Sequence, residues 1–432
     1  MPVFGLGTVG CGAAAPDQRV TVLGPWTGDE KSAFLAMIEG FEKTTGISVH
    51  YVGTRDADAV LASRLKNGKP PELAVLPTPG ELRHRAAGGT LIPLDDALDQ
   101  QRMATEYAPG WLELMQANGP SGARHYYAIV VKAALKSAIW YSPKNLPPAA
   151  RAALTSPNLT WSRLNRLTAS LAATGTSPWC IGMEDASSSG WPGTDWVEDI
   201  VLHQAGPQLY DRWVAGTLPW TSSPVRRAWQ TFGTVTTTPG RVRGGLRSML
   251  STNFGRAGRS MFTSPPGCFL EHQGSFITGF YGQHKLPTGA GETHPKPGVN
   301  FAFVPFPPVT TAGQGSQEVA GDLLGMFRDT PAARKLIAYL TTPAAQAALI
   351  KRPRSSAISV NRRVAPADYP DPISRSLAKT LTSAREVRFD ASDSMPRVMA
   401  TAFNRAVLEY ISNPAQLDVL LEQLEKVRKA VY

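Results

Sequence analysis

Cysteine is scarce in this chain: three residues in 432, at positions 11, 180 and 268. Their spacing offers no zinc framework. No run of eighteen apolar residues occurs, which excludes a transmembrane helix. A Gly-x-Ser-x-Gly elbow and a His-Glu-x-x-His pair are both missing, and with them the best-marked hydrolase and metalloprotease signatures. Repeats and low-complexity tracts are missing too. The net charge of +10 is not concentrated anywhere: it is scattered over Arg226–Arg227, Arg241, Arg243, Arg247, Lys351–Arg352, Arg354 and Arg362–Arg363. A nucleic-acid binder gathers its basic residues on one face or tail, so the pattern argues against a nucleic-acid partner.

Glycine (39) and proline (36) are plentiful together, which suits many turns, and a hydrophobic content of 42% with 18% charged residues describes an ordered globular protein. A length of 432 residues exceeds what one core usually holds, so two domains are expected. Gly5, Gly7 and Gly10 fit the G-x-G-x-x-G dinucleotide pattern, but that motif needs a strand before it and a helix after it. Here an Ala-Ala-Ala-Pro stretch follows, so no cofactor is expected. Cys180 follows Ser177-Pro178-Trp179 and Cys268 follows Pro265-Pro266-Gly267, both turn-rich surroundings. In an oxidising compartment a Cys180–Cys268 disulfide is expected; the alternative is two buried thiols. Thr8-Val9-Gly10-Cys11 resembles a bacterial lipobox, which would make Cys11 a lipidation site. The segment before it is short and lacks a basic start. Either the true start lies upstream or the match is chance, and the tether-like residues after Cys11 favour the former.

The ordered part is expected to begin with a strand at Gln18–Leu23 that ends at Gly24-Pro25-Trp26. A helix follows, with Asp29 and Glu30 suited to its N-terminal dipole. Phe34, Met37, Ile38 and Phe41 form its apolar stripe and Gly46 its stop. A strand at Ile47–Val52, a helix carrying Val60, Leu61 and Leu65, and a strand at Glu72–Leu76 complete a strand–helix alternation that predicts a parallel, doubly wound sheet. Ligands of such sheets bind beyond the carboxyl ends of the strands, where the loops supply Trp26, Thr54, Arg55, Asp56 and Thr78. Two strands with a bend near Lys132 are expected over Tyr126–Tyr141. A further strand is expected at Val299–Pro305, a return of the chain to the first domain at Glu318–Phe327, helices after Pro331 and Pro343, and a C-terminal helix from Pro414 carrying Leu417, Leu420, Leu421 and Leu424.

Gly182–Trp196 is the most informative stretch. Read as a loop, it sets Glu184, Asp185 and Asp195 beside hydroxyls and the indoles of Trp191 and Trp196. Carboxylates accept bidentate hydrogen bonds from neighbouring hydroxyls, and indole faces stack on the apolar faces of a pyranose. Seven of the ten tryptophans fall between Trp161 and Trp229. Most tryptophans are buried, so two or three of these are expected to meet a ligand.

Several ordered segments together resemble the family 1 extracellular solute-binding proteins of bacterial carbohydrate ABC importers. They are the strand ending in Gly24-Pro25-Trp26, the helix closing with Phe41-Glu42-Lys43-Thr44-Thr45-Gly46-Ile47, Gly68-Lys69-Pro70-Pro71-Glu72, Leu91-Ile92-Pro93-Leu94-Asp95, and Ala138-Ile139-Trp140-Tyr141-Ser142-Pro143-Lys144. Gly190–Trp196, Pro265–Cys268 and Phe389–Asp393 resemble an actinobacterial-type, alpha-glucoside branch. The resemblance implies an α/β, two-lobed, periplasmic-binding-protein-like fold with hinge-linked, doubly wound sheets. Residues 1–17 would be a tether or truncated signal, 18–130 with 315–363 one lobe, and 131–314 with 364–432 the other. It implies a monomeric, extracytoplasmic lipoprotein that captures a sugar between the lobes and presents it to permease subunits, without catalysis or metal.

Within that frame the stacking candidates are Trp191, Trp26 and Trp196. Glu184, Asp195, Asp56 and Asp322 would accept from hydroxyls, Arg55 and Lys132 would donate, and Thr78, Asp390 and Asp393 complete the set. Asp390 and Asp393 also suit helix capping. The main rival is a glycoside hydrolase using Glu184 with Asp195, or Glu198 with Asp199, as its carboxyl pair. The second is a binder of another solute. A phosphate ligand would want clustered arginines, whereas a polyamine would accept the carboxylates around Trp191.

Overall fold

The structure, a computed structural model, describes residues 18–76, 78–288, 291–352 and 355–432. Cys11 and the glycine motif before it lie outside the described residues. Strands β1 (Arg19–Gly24), β2 (Ser48–Gly53) and β3 (Leu73–Leu76) pair in parallel in the order β2–β1–β3, with helices α1 (Gly28–Thr45) and α2 (Ala57–Lys66) as the crossovers. The stripe Phe34, Met37, Ile38 and Phe41 of α1 is buried as the spacing predicts. Gly46 ends the helix at φ 70°, a left-handed conformation that costs glycine little. Thr78 caps helix α3 (Pro79–Ala87) by accepting a hydrogen bond from the Glu81 amide.

The chain then enters β4 (Ala128–Leu135) and β5 (Ala138–Tyr141). The expected bend near Lys132 falls instead at Lys136–Ser137, where both amides donate to the Glu318 carbonyl. Strands β6 (Leu270–His272) and β7 (Ala302–Pro305) flank β5 in a second, antiparallel sheet. Strand β8 (Ser316–Met326) ties the molecule together. Leu323–Met326 pair with β3, Ser316–Val319 pair in parallel with β9 (Glu386–Phe389), and β4 runs antiparallel along its other edge. Between Asp322 and Leu323 the register with β4 shifts by one residue, a bulge that leaves Lys132 opposite Asp322. The β4–β8 ribbon therefore runs out of the first sheet toward the second.

Two hydrophobic cores result. One holds β1–β3, α1, β4, the end of β8 and the segment from Tyr369 to Phe389; the other holds Trp161, Trp179, Trp196, Trp213, Trp220 and Trp229 with the C-terminal helices. Strand alternation divides β5 between them: Ile139 and Tyr141 face the tryptophan-rich core, Trp140 the other. The loop expected around Trp191–Trp196 is a helix, α4 (Trp191–Ala205). Pro192 lies in its first turn, where the missing amide proton costs nothing. Every residue from Pro192 to His203 is buried, although Asp195, Glu198, Asp199 and His203 recur at helical spacing along it. Gly190 precedes it at φ 105°, with room for a Cβ denied by the Asn404 carbonyl at 2.3 Å. The expected C-terminal helix begins with a 3-10 turn at Pro414–Gln416 and runs as α5 over Leu417–Val431. No helix among the described residues is long and apolar enough to cross a membrane.

Cys180 and Cys268 form a disulfide with a Cα–Cα distance of 5.5 Å and a sequence separation of 88. In the chain-entropy account, closing a loop of that length stabilises the fold by about 4–5 kcal/mol. The double substitution Cys180→Ser/Cys268→Ser is expected to lower the unfolding free energy by about 2–5 kcal/mol in urea titrations. An unchanged midpoint would contradict that role.

Candidate ligand-binding site

Side chains alternate along a strand, so Lys132 and Ala134 point to one side of the β4–β8 ribbon, and Lys136 follows at the bend just past the end of β4. Asp322 and Ala320 face Lys132 and Ala134 from β8. The two small alanines leave the strip beside Lys132 low, and Lys136 stands directly after the end of β4. A charged cluster stands at each end.

At the first end, Lys132 Nζ lies 2.5 Å from Glu30 Oε1 and 3.3 Å from Asp322 Oδ2. Burial acts to lower the Lys132 pKa, but Asp322 and Glu30 outweigh it and raise it. Burial likewise acts to raise Glu30, and Lys132 with Arg55 bring it below the usual range. Arg55 is exposed and donates to Glu30 Oε2 at 2.9 Å. Trp26 Nε1 donates to Asp322 Oδ2 at 2.8 Å. The Trp26 indole is 2% exposed and packs on Phe34 and Tyr51 at 4.9 and 5.9 Å. It walls the site from within rather than offering a free face for stacking.

At the other end, Lys136 Nζ sits 2.8 Å from Asp195 Oδ2 and 2.9 Å from Asp390 Oδ2, and 4.9 Å from the centre of the Trp191 ring. Three distant segments converge here: the end of β4, the first turn of α4, and the turn after β9. One ammonium faces two buried carboxyls, and their titrations separate. Burial pushes Asp195 up to about 8, against the pull of Lys136. Burial pushes Asp390 the same way, but Lys136, Glu198 and the Asp393 amide bring it below the usual range. Lys136 is held well above its ordinary value by Asp195 and Asp390, despite burial. Asp393 is raised well above the usual range, by burial and then by Asp390. Asp390 also caps the turn Ala391–Ser394, accepting from Asp393 N at 3.0 Å.

Trp191 is half-buried. Its Nε1 donates to Asp185 Oδ2 at 2.9 Å, and its ring meets Phe254 at 4.9 Å and Phe276 at 5.8 Å. Glu184, close by, accepts from Ala186 N and Asn253 Nδ2, which lower its pKa. Trp196, in contrast, is 1% exposed and packs on Trp179 and His272. It is a core residue, because α4 turns it away from Trp191. Asp56 is exposed after β2 and makes no side-chain cap with α2. Thr78 spends its hydroxyl on the Glu81 amide at 3.1 Å.

The structure thus brings Trp191, Lys136, Asp195, Asp390 and Asp393 together, and Trp26, Lys132, Asp322, Arg55 and Glu30 together. The sequence reading missed Glu30, Lys136, Phe254 and Phe276. A groove lined by Trp26, Glu30, Lys132, Ser355 and Ser356 continues, through the same two serines, past Thr278, Phe301 and Asp371. Carboxyl oxygens of Asp195, Glu198 and Asp390 lie within 4.8 Å of one another, a spacing that suits a hard cation, but Lys136 already neutralises two of the three. Glu198 and Asp199, the alternative hydrolase pair, are wholly buried and out of reach of a substrate.

Residues 24–254 match the family described as bacterial extracellular solute-binding protein. Over 410 residues the chain is 34% identical to the osmoprotective compounds-binding protein GgtB of Synechocystis sp., covering 93% of this chain and 91% of that protein. Over 407 residues it is 33% identical to the alpha-glucosides-binding periplasmic protein AglE of Rhizobium meliloti, covering 93% and 85%. Among solved structures, the bacterial solute receptor AcbH, described as preferring β-D-galactopyranose, superposes with a TM-score of 0.79 at 16% identity over 96% of this chain and 99% of that one. The GacH receptor of Streptomyces glaucescens, solved free and with acarbose, gives 0.70 at 16% identity over 96% and 98%. At these identities the structures speak to the fold, which is the two-lobed, periplasmic-binding-protein-like α/β architecture.

Replacing Lys136 by methionine keeps the stem but leaves two buried carboxyls facing each other. At pH 7 the cost is expected to be about 3–5 kcal/mol in urea unfolding. Asp390, whose pKa is depressed in the fold, contributes stability above the usual carboxylate range and loses it as pH falls. The deficit of Lys136→Met should therefore narrow below pH 4; a deficit that widens there would contradict the pairing.

Proposed function

This chain belongs to the bacterial extracellular solute-binding protein family, and from that membership we propose that it captures a sugar, an oligosaccharide or alpha-glucoside, between its lobes and delivers it unaltered to an ABC importer. One observation carries the sugar reading: the half-buried indole of Trp191, with Asp185 on its Nε1 and Lys136 over its ring, stands where α4 meets the crossing strands. An indole with hydrogen-bonding groups around its edge suits a ring with one apolar face and equatorial hydroxyls. A charge-assisted bond to Glu184, whose carboxyl is held below the usual range, would fix one of those hydroxyls. The names of AglE and of the sugar-bound receptors support the same class.

The lobes we propose follow the ribbon: 18–130 with 315–363 on one side, 131–314 with the C-terminal helices on the other. Lys132, Asp322 and Glu30 would then hold one end of the ligand, and Trp191 and its neighbours the other, across a span that admits more than one ring. Ligand contacts to both lobes favour the closed form, which is how binding drives a hinge. We further propose that the protein acts as a monomer, tethered through a lipid on Cys11. Radiolabelled palmitate incorporated by the wild type and lost in Cys11→Ala would test the tether.

Titration calorimetry with maltose, trehalose, sucrose, galactose and putrescine tests the ligand class. At least one sugar is expected to bind, putrescine is not, and nitrophenyl glucosides should not be hydrolysed. Trp191→Ala is expected to weaken the sugar about tenfold or more, because removing an aromatic platform forfeits about 1.4 kcal/mol or more. Tight putrescine binding or glucoside turnover would overturn the proposal.

A further inference from the structure

Two further acids adjoin the Lys136 cluster, Glu198 on α4 and Glu318 on β8, both wholly buried. Carboxyl oxygens of Asp195, Glu198 and Asp390 lie within 4.8 Å of one another. Backbone pairing brings Glu318 alongside them. Its carbonyl accepts from the Lys136 amide at 2.8 Å, and the carbonyl of the next residue, Val319, accepts from the Asp390 amide at 2.8 Å. Val319 belongs to the first core, so strand alternation turns the Glu318 side chain to the opposite face of the sheet, where α4 packs on β8.

The donors around these acids fall short. Glu198 Oε2 accepts from Ala391 N at 2.6 Å, and Asp390 Oδ1 accepts from Ser392 Oγ at 2.9 Å and Asp393 N at 3.0 Å. Glu198 Oε1 and both oxygens of Glu318 meet no donor among the described residues. Acceptors left unpaired at this depth are costly, and more so when ionised. Lys136 brings one positive charge and spends it on Asp195 and Asp390. The histidines of this region are engaged elsewhere: His272 Nε2 meets Asp199 Oδ2 at 2.7 Å, and His203 lies between Asp199 and the Ser316 carbonyl. Arg388, the register partner of Glu318 on β9, donates to Asp211 and Glu386. One ammonium therefore answers four buried carboxyls.

We propose that Asp195, Glu198, Asp390 and Glu318 hold a hard divalent cation of the calcium class, and that this ion steadies the start of α4 and with it Trp191. Calcium binds its oxygen ligands at about 2.3–2.6 Å, so two ligands of one ion stand at most about 5 Å apart. The spread of the Asp195, Glu198 and Asp390 oxygens fits within that limit. Every side-chain ligand on offer is a carboxyl oxygen, which selects a hard ion over zinc or copper. Its two positive charges answer Glu198 and Glu318, the acids that Lys136 leaves unpaired. Trp191, Asp195 and Glu198 stand at offsets 0, 4 and 7, one face of α4. An ion gripped by the last two therefore fixes the end of the helix that carries the indole. The site is buried, so the ion enters as the chain folds.

Thermal melting of the full chain without sugar, after refolding from urea in either EDTA or millimolar calcium chloride, tests the site independently of the sugar reading. Calcium should raise the wild-type melting temperature by about 5 °C. In Glu198→Gln and Glu318→Gln the rise should shrink to about 1 °C or less, whereas Glu422→Gln, at an exposed position of α5, should keep it whole. The same melting temperature in calcium and EDTA overturns the proposal. So does an equal rise in all four proteins, which would place the ion elsewhere. If the two buried-glutamate variants do not fold, equilibrium dialysis of the wild type against radioactive calcium decides: about one tightly held ion per chain is expected, and none is fatal. The ligand arm rests on the proposed function: the sugar that binds in calorimetry should bind about tenfold more weakly to protein refolded in EDTA. Equal affinity in both would overturn the link to Trp191. Failure of every sugar to bind would sink the functional reading, while the melting temperatures still decide the cation site.

Discussion

A single ammonium shared by two buried carboxyls governs the geometry around Trp191. Lys136, Asp195 and Asp390 come from parts of the chain 59 and 254 residues apart from the lysine, and none of the three is tolerable alone in a dry interior. Each charge is acceptable only where the other two are. The first turn of α4, the end of β4 and the turn after β9 must therefore arrive at one point. Trp191 opens α4, so its position follows from that constraint. A compact ammonium suits the place, because it can meet two carboxyls and an indole face from one point.

The crossing ribbon gives that constraint its reach. Lys132 lies within β4 and Lys136 directly after its end, and Asp322 opposes the first of them across the bulge. Both charged clusters are thus mounted on one stiff piece of backbone, with alanines between.

Much of this was legible where a chain segment has one wet and one dry face. The β1–α1–β2–α2–β3 alternation followed from apolar spacing, and α1 stopped at Gly46 as read. Helix α4 was missed because the glycines and proline around Trp191 read as loop, although Asp195, Glu198, Asp199 and His203 recur at helical spacing. The tryptophans misled in a related way. Six of the seven between Trp161 and Trp229 fill the core, and only Trp191, at the start of its helix, keeps part of its ring free. Glu30 was read as a dipole partner for α1, because nothing local shows that β4 brings Lys132 to it from 102 residues away. Lys136 and Glu318 were invisible as partners until the strands were paired, since register is a property of two segments and not of one.

The Cys180–Cys268 bridge has a consequence for when the molecule becomes durable. Inside a reducing cytoplasm the thiols stay apart, and the same polypeptide is easier to unravel. Once outside, oxidation withdraws much of that freedom. A protein of an extracellular family thus gains this constraint only where it works.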